Sequence, residues 1–157
     1  MLLVDNPIDL AEHTGRELAP SEWLAIDQAM IDKFAEATGD DQWIHVDVER
    51  AKREMPGGAT IAHGYLTLSL LPRLIEQTYR VANLGRSLNY GANRIRFTNS
   101  VAVGSRLRLR LTILSVEAVD GDGARITSHC TVEIEGEQRP ALVAEVISQI
   151  YPYTGEQ

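Results

Sequence analysis

A change of hydrophobic period part-way along the chain limits the fold more than any other feature. From Ala62 to Arg80, the apolar residues Tyr65, Leu66, Leu68, Leu70, Leu71, Leu74 and Ile75 cover most of a helical circumference, and a helix that is apolar all round has to be buried. Beyond it the period becomes two. Leu107, Leu109, Leu111 and Ile113 alternate with Arg106, Arg108, Arg110 and Thr112, and Ile126, Ser128, Cys130, Val132 and Ile134 continue the pattern. Strands with one wet face alternate in this way. A helix without a polar face and strands with one apolar face bury each other when the sheet curves round the helix, which predicts an α+β domain.

Local signals divide the rest of the chain. Trp23 to Ile26 is a short strand-like run, and Asp27 caps a helix that reaches Thr38. Gly39 ends it, since glycine accepts the left-handed conformation common after a helix. Asp47 to Arg53 suits a short helix, and Met55-Pro56-Gly57-Gly58 forces a loop. Pro72 lacks an amide hydrogen, so the apolar helix is expected to kink or break near Leu68 to Leu71. Ile95 and Phe97 mark one strand. Turns at Asp120-Gly121-Asp122-Gly123 and Glu135-Gly136-Glu137 then separate further strands, the last over 141–151. About four antiparallel strands result, and residues 1–157 are expected to form one domain, with 1–20 as a polar lead-in.

Charge and composition remove several functions. The net charge of −7 opposes the field that a nucleic-acid surface needs. Arg86, Arg94 and Arg96 remain as local partners for ligand phosphates or as solvated strand residues. The single cysteine, Cys130, has no internal disulfide partner and suits a reducing compartment. The N-terminus has no basic signal region, and the apolar run near Ile61 to Leu74 is too polar to span a membrane. A cytoplasmic location is therefore expected. There is no Gly-x-Ser-x-Gly elbow, P-loop or dinucleotide fingerprint, and no cofactor is expected.

The stretch Thr38 to Asp47 concentrates the candidate chemistry. Asp40 and His45 are five positions apart, about 140° around a regular helix, so they converge only if the backbone turns between them. Gly39 permits that turn. A carboxylate beside an imidazole makes an acid–base pair able to hold one water; a capping aspartate with a structural histidine fits the same residues. His45 and His63 raise the question of a metal, but no third ligand has zinc-like spacing, and no metal site is expected.

Phe34-Ala35-Glu36-Ala37-Thr38-Gly39-Asp40-Asp41-Gln42-Trp43-Ile44-His45-Val46-Asp47, followed by Ile61-Ala62-His63-Gly64-Tyr65-Leu66, resembles the hydratase motif of the MaoC-like family of (R)-specific enoyl-CoA hydratases. Asn89 to Phe97 resembles the nodulation-protein-N-like branch. The resemblance covers roughly Ser21 to Val146 and implies the hot-dog fold. It also implies that Asp40 and His45 position and activate water, and that the Gly64 amide receives the thioester oxygen. The start of a helix suits that donor, since its amides lack helical partners; close helix–strand packing would also explain a glycine there. Asn93 resembles a position lining the site, or serves as a turn residue. Ser69 offers a site-facing hydroxyl, or one bonded back to its own helix.

The expected function is (R)-specific hydration of a trans-2-enoyl-CoA to the (R)-3-hydroxyacyl-CoA, in a homodimer whose partner is the acyl-CoA substrate. A thioesterase on the same fold and a non-catalytic acyl-thioester-binding module are the rivals.

Overall fold

A computed structural model describes residues 1–155 of the chain. Its first half runs β1 (Leu2–Val4), a 3-10 helix (Pro7–His13), β2 (Leu24–Ala25), α1 (Gln28–Thr38), α2 (Trp43–Val46), α3 (Val48–Glu54), α4 (Gly64–Ser69) and α5 (Leu71–Ile75). The second half is strand: β3 (Tyr79–Val81), β4 (Leu84–Phe97), β5 (Arg106–Val119), β6 (Gly123–Ile134) and β7 (Leu142–Pro152). Five strands form one antiparallel sheet in the order β2-β5-β6-β7-β4. The sheet wraps α4 and α5, the hot-dog arrangement.

The period-two pattern explains the sheet. On β5, Leu107, Leu109, Leu111 and Ile113 are fully buried, and the register sets Leu107 against Ile134, Leu109 against Val132 and Leu111 against Cys130. Each such leucine contributes about 1.5–3 kcal/mol by leaving water. Leu66, Leu71 and Leu74 from α4 and α5 join the same core. The outward residues are paired instead: Arg106 with Glu135, Arg108 with Glu133 and Arg110 with Glu17. Exposed pairs of this kind add only about 0–1 kcal/mol each, so the inner face determines the fold and the outer face keeps it wet.

Three expectations need correction. The apolar helix is two short helices broken at Leu70, as Pro72 requires, but it ends at Ile75 instead of Arg80. The Thr78 amide and hydroxyl both donate to the Ile75 carbonyl, each at 2.8 Å, and turn the chain into β3. Residues 1–20 are more than a lead-in, because β1 pairs in parallel with β3 and Leu10 of the 3-10 helix is fully buried. Three-residue strands are too short to show a period. Finally, β4 extends back to Leu84 and is exposed almost throughout. Register shifts at three points interrupt its pairing with β7, and Arg94 takes a left-handed φ of 52° beside one of them. A bulge reverses which face a residue meets, so the alternation of Arg94, Ile95, Arg96 and Phe97 does not map onto one wet and one dry face. Arg94 pairs with Glu145 and Arg86 lies over the Tyr151 ring.

No helix among the described residues is long and apolar enough to cross a membrane.

Cys130 tests the packing of the sheet against the helices. Burial pushes its thiol up to about 12, leaving about one thiolate in ten thousand at pH 8. A disulfide reagent at pH 8 is expected to leave native protein unlabelled for hours and to label one thiol promptly in denaturant. Fast native labelling would show that the inner face of β6 opens readily.

Candidate active site

The site begins with how α1 ends. The Asp27 carboxylate accepts from the Met30 amide at 2.8 Å, and Gly39 closes the helix at φ 75°. That left-handed residue turns the chain back, so that Asp40 and the single turn α2, carrying His45, return towards the start of α4. The return is held by a reciprocal clasp: the Ile61 amide donates to the Ile44 carbonyl at 3.0 Å, and the His45 ring is 2.7 Å from the Ile61 carbonyl through Nδ1. A carbonyl only accepts, so Nδ1 carries the hydrogen and a neutral ring keeps Nε2 as its acceptor.

His63 completes the cluster. Its ring stacks on His45 with centroids 3.7 Å apart and is flanked by Phe34 at 4.9 Å. His63 Nε2 donates to the Asp40 carbonyl at 2.8 Å and lies 4.0 Å from the Asp40 carboxylate. Both imidazoles are buried, whereas the Asp40 side chain is 53% exposed. A carboxylate oxygen of Asp40 and ring nitrogens of His45 and His63 all lie within 4.8 Å of one another. Although the three residue types are metal ligands, the rings are badly set for ligation. They are tilted by only 24°, so their planes meet roughly 8 Å from the ring centres, while an imidazole-bound zinc sits in the ring plane ~2.1 Å from nitrogen. Hydrogen bonds take one nitrogen of each ring, and the buried His63 Nδ1 has no partner among the described residues.

Two cavities flank α4. The first, of about 320 Å³, is lined by His45, Gly64, Thr67, Phe97 and the turn from Thr98 to Val101, with Ile61, Ala62 and Ala141. Gly64 is the first residue of α4 and its amide has no helical carbonyl to meet. The second, of about 310 Å³, lies between α4–α5 and β4 and is lined mainly by Leu68, Leu71, Pro72, Ala92 and Val146.

Of the residues singled out from the sequence, His45 and Gly64 therefore share a cavity, and Asp40 stands beside His45 without lining it. Ser69 lines the second cavity, with its hydroxyl donating back to the Tyr65 carbonyl at 2.7 Å. Asn93 lies on β4 opposite Glu145 and lines neither cavity. Sequence reasoning missed Thr67, Phe97, Gln28, Thr60 and the Ile61 carbonyl. Thr67 was within reach, because it sits three positions after Gly64 on the same helical face.

Comparison with known proteins follows from this geometry. The pattern of the MaoC like domain matches residues 9–134. The chain belongs to the MaoC-like dehydratase family. Within it, 3-hydroxyacyl-thioester dehydratase Z of Mycobacterium tuberculosis is 46% identical over 147 residues, covering 94% of this chain and 97% of that protein. Nodulation protein N of Rhizobium leguminosarum bv. viciae is 45% identical over 150 residues, covering 90% of this chain and 89% of that protein. Among solved structures, the R-hydratase PhaJ1 from Pseudomonas aeruginosa superposes with a TM-score of 0.68 at 21% identity, covering 98% of this chain and 95% of that one. At that identity the likeness establishes the hot-dog fold alone.

The contact between Gly64 and Phe97 is a direct test of the cavity wall. A Cβ at position 64 would sit 2.8 Å from the Phe97 ring. Gly64→Ala is expected to destabilise the protein by ~1–3 kcal/mol through overpacking. Gly64→Ala/Phe97→Ala should match Phe97→Ala alone to within ~0.5 kcal/mol in urea melts, because the clash is gone. Additive losses would mean that Phe97 is not what Gly64 makes room for.

Proposed function

We propose that the protein catalyses the reversible syn hydration of a trans-2-enoyl thioester, carried on coenzyme A, to the (R)-3-hydroxyacyl thioester. Hydro-lyase chemistry is that of its family, and a relative 46% identical over 147 residues is named a 3-hydroxyacyl-thioester dehydratase. The single observation that carries the reading is that His45, with one ring nitrogen committed to Ile61, faces the same cavity as the first amide of α4, with Asp40 within 4.8 Å.

In the hydration direction one water sits between Asp40 and His45. Two hydrogen bonds of ~2.8 Å meeting at a near-tetrahedral oxygen span ~4.6 Å, which a carboxylate oxygen and a ring nitrogen within 4.8 Å of each other allow. As the water oxygen bonds to C3, the C2=C3 π pair moves towards the thioester carbonyl and charge collects on its oxygen. The Gly64 amide is the donor for that charge, and it acts most strongly in the transition state, where the charge is greatest. The pair takes the proton from water and returns one to C2 on the same face, so the enzyme ends as it began. The apolar second cavity supports an acyl chain as the rest of the substrate.

A homodimer belongs to the same proposal. Strand β4 is a sheet edge of 14 residues, and Leu84, Leu88, Tyr90 and Phe97 on it are 49%, 47%, 58% and 44% exposed. Long apolar edges are covered in native proteins. Sedimentation is expected to give about twice the chain mass of 17.4 kDa; a lone monomer at micromolar concentration would overturn the dimer.

Crotonyl-CoA and longer enoyl-CoA substrates are expected to lose their conjugated absorbance with no release of thiol, giving an (R)-3-hydroxy product on chiral analysis. Asp40→Asn and His45→Gln should each slow this reaction by about a hundredfold or more while keeping the fold. Release of thiol with the double bond intact would instead make the protein a thioesterase. Binding of acyl thioesters without either reaction would make it a non-catalytic module.

A further inference from the structure

Gln28, the first residue of α1, touches the catalytic segment without reaching either cavity. Its side-chain nitrogen lies 2.7 Å from the His45 carbonyl and 2.8 Å from the Asp32 carboxylate, and its oxygen accepts from the Thr60 hydroxyl at 2.6 Å. A backbone carbonyl and an ionised carboxylate can only accept, so the nitrogen end of the amide must face them. The oxygen is then left for the one group of the three that can donate. The amide therefore has a single satisfied orientation, in which the fully buried Thr60 hydroxyl is the donor.

The segment that Gln28 grips cannot hold itself. Helix α2 is one turn of four residues, and Gln42 gives it no side-chain cap; a helix this short is unstable without outside contacts. Its outside hydrogen bonds come from two adjacent residues, since Ile61 takes the His45 ring and the Ile44 carbonyl and Thr60, through Gln28, takes the His45 carbonyl, while the His63 ring stacks on His45. Residues 60–62 are themselves fixed to the approach to β5, with the Val103 amide on the Thr60 carbonyl at 2.9 Å and the Ala62 amide on the Val101 carbonyl at 2.7 Å. Two residues later the same stretch becomes Gly64.

We propose that Gln28 is a positioning residue, which refers the His45 main chain to Thr60 and so sets where the His45 ring stands relative to the Gly64 amide. The kinetic consequence rests on the role for His45 proposed above. Losing the amide removes the side-chain hydrogen bond that holds the His45 carbonyl, and a displacement of an ångström at a reacting group is enough to cost roughly ten- to a hundredfold in turnover. Substrate binding, which draws on both cavities, is little affected.

The test uses Gln28→Met, which keeps length and removes every hydrogen bond, together with Thr60→Val and the double variant. Two readings are taken: kcat and KM for enoyl-CoA hydration, and the imidazole 15N signals of His45, assigned by their loss in His45→Gln. Folded Gln28→Met should show kcat lowered roughly ten- to a hundredfold with KM within about twofold. Its His45 signals should move from the single Nδ1–H form towards a mixture of tautomers. Thr60→Val should change both readings in the same sense but less, and the double variant should be no slower than Gln28→Met, because Thr60 acts through Gln28. Wild-type turnover with unmixed His45 signals in Gln28→Met overturns the proposal, as does a double variant whose losses multiply. If Gln28→Met does not fold, Thr60→Val alone decides, and wild-type values in both readings overturn it. Should the wild-type protein hydrate no enoyl thioester, the proposed function fails, while the His45 signals still decide whether Gln28 holds the ring.

Discussion

Helices α4 and α5 leave Tyr65, Ser69, Pro72 and Arg73 in water and bury Leu66, Leu71 and Leu74 on the opposite face, not the whole circumference that the sequence suggests, and the rest of the architecture answers the need to cover that apolar face. A sheet buries them from one side only if it curves, and its inner face must then be apolar at every second position, as β5 and β6 are. Covering that face leaves the N-terminal end of the helical segment as the place where backbone polarity remains unmet. The first amides of α4 open there onto a cavity with no helical acceptor. A segment laid over that end, from α1 to α3, brings the titratable groups to it. The site is thus where the burial of that apolar face runs out.

Local determinants of this plan were legible in the sequence, and longer-range ones were not. Asp27 and Gly39 act within three or four residues of themselves, so the limits of α1 follow from their types. The same holds for the break before Pro72. The end of α5 is set instead by Thr78 and by the pairing of β3 with β1, residues some 75 positions away in sequence. The extent of β4 depends on bulges, which arise from pairing with β7 and leave no period behind. The same bulges explain Asn93: a residue type and a family position suggested a lining residue, whereas the register turns it to Glu145. Gln28 carried no signal at all, because a glutamine in the first turn of a helix is ordinary.

The orientation of His45 shows a choice among possible orienting groups. A carboxylate on Nδ1 would fix the ring and add a formal negative charge behind it. The Ile61 carbonyl fixes the same tautomer with a neutral acceptor, in a cluster where Asp40 already supplies a carboxylate. His63 extends the pattern, since it grips Asp40 through a main-chain oxygen and leaves the Asp40 carboxylate free of any bond to it shorter than 4.0 Å. Both groups proposed for proton transfer are held by contacts that leave their reactive atoms available.

Much of this machinery is backbone: the Ile61 and Asp40 carbonyls, the Ile44 carbonyl that receives the Ile61 amide, and the Gly64 amide. Such parts depend on where the chain runs and scarcely on which side chains it carries, apart from the glycine that Phe97 demands at position 64. The hot-dog fold can therefore recur at 21% identity while the side chains that chemistry needs remain few. Under the proposed function, substrate choice falls to side chains with no such backbone constraint, Leu68, Ala92 and Val146 along the second cavity and Thr67 at the first. On that proposal, changes there alter the shape offered to an acyl chain without touching the clasp that holds His45, so chain-length preference and turnover can vary separately on one scaffold.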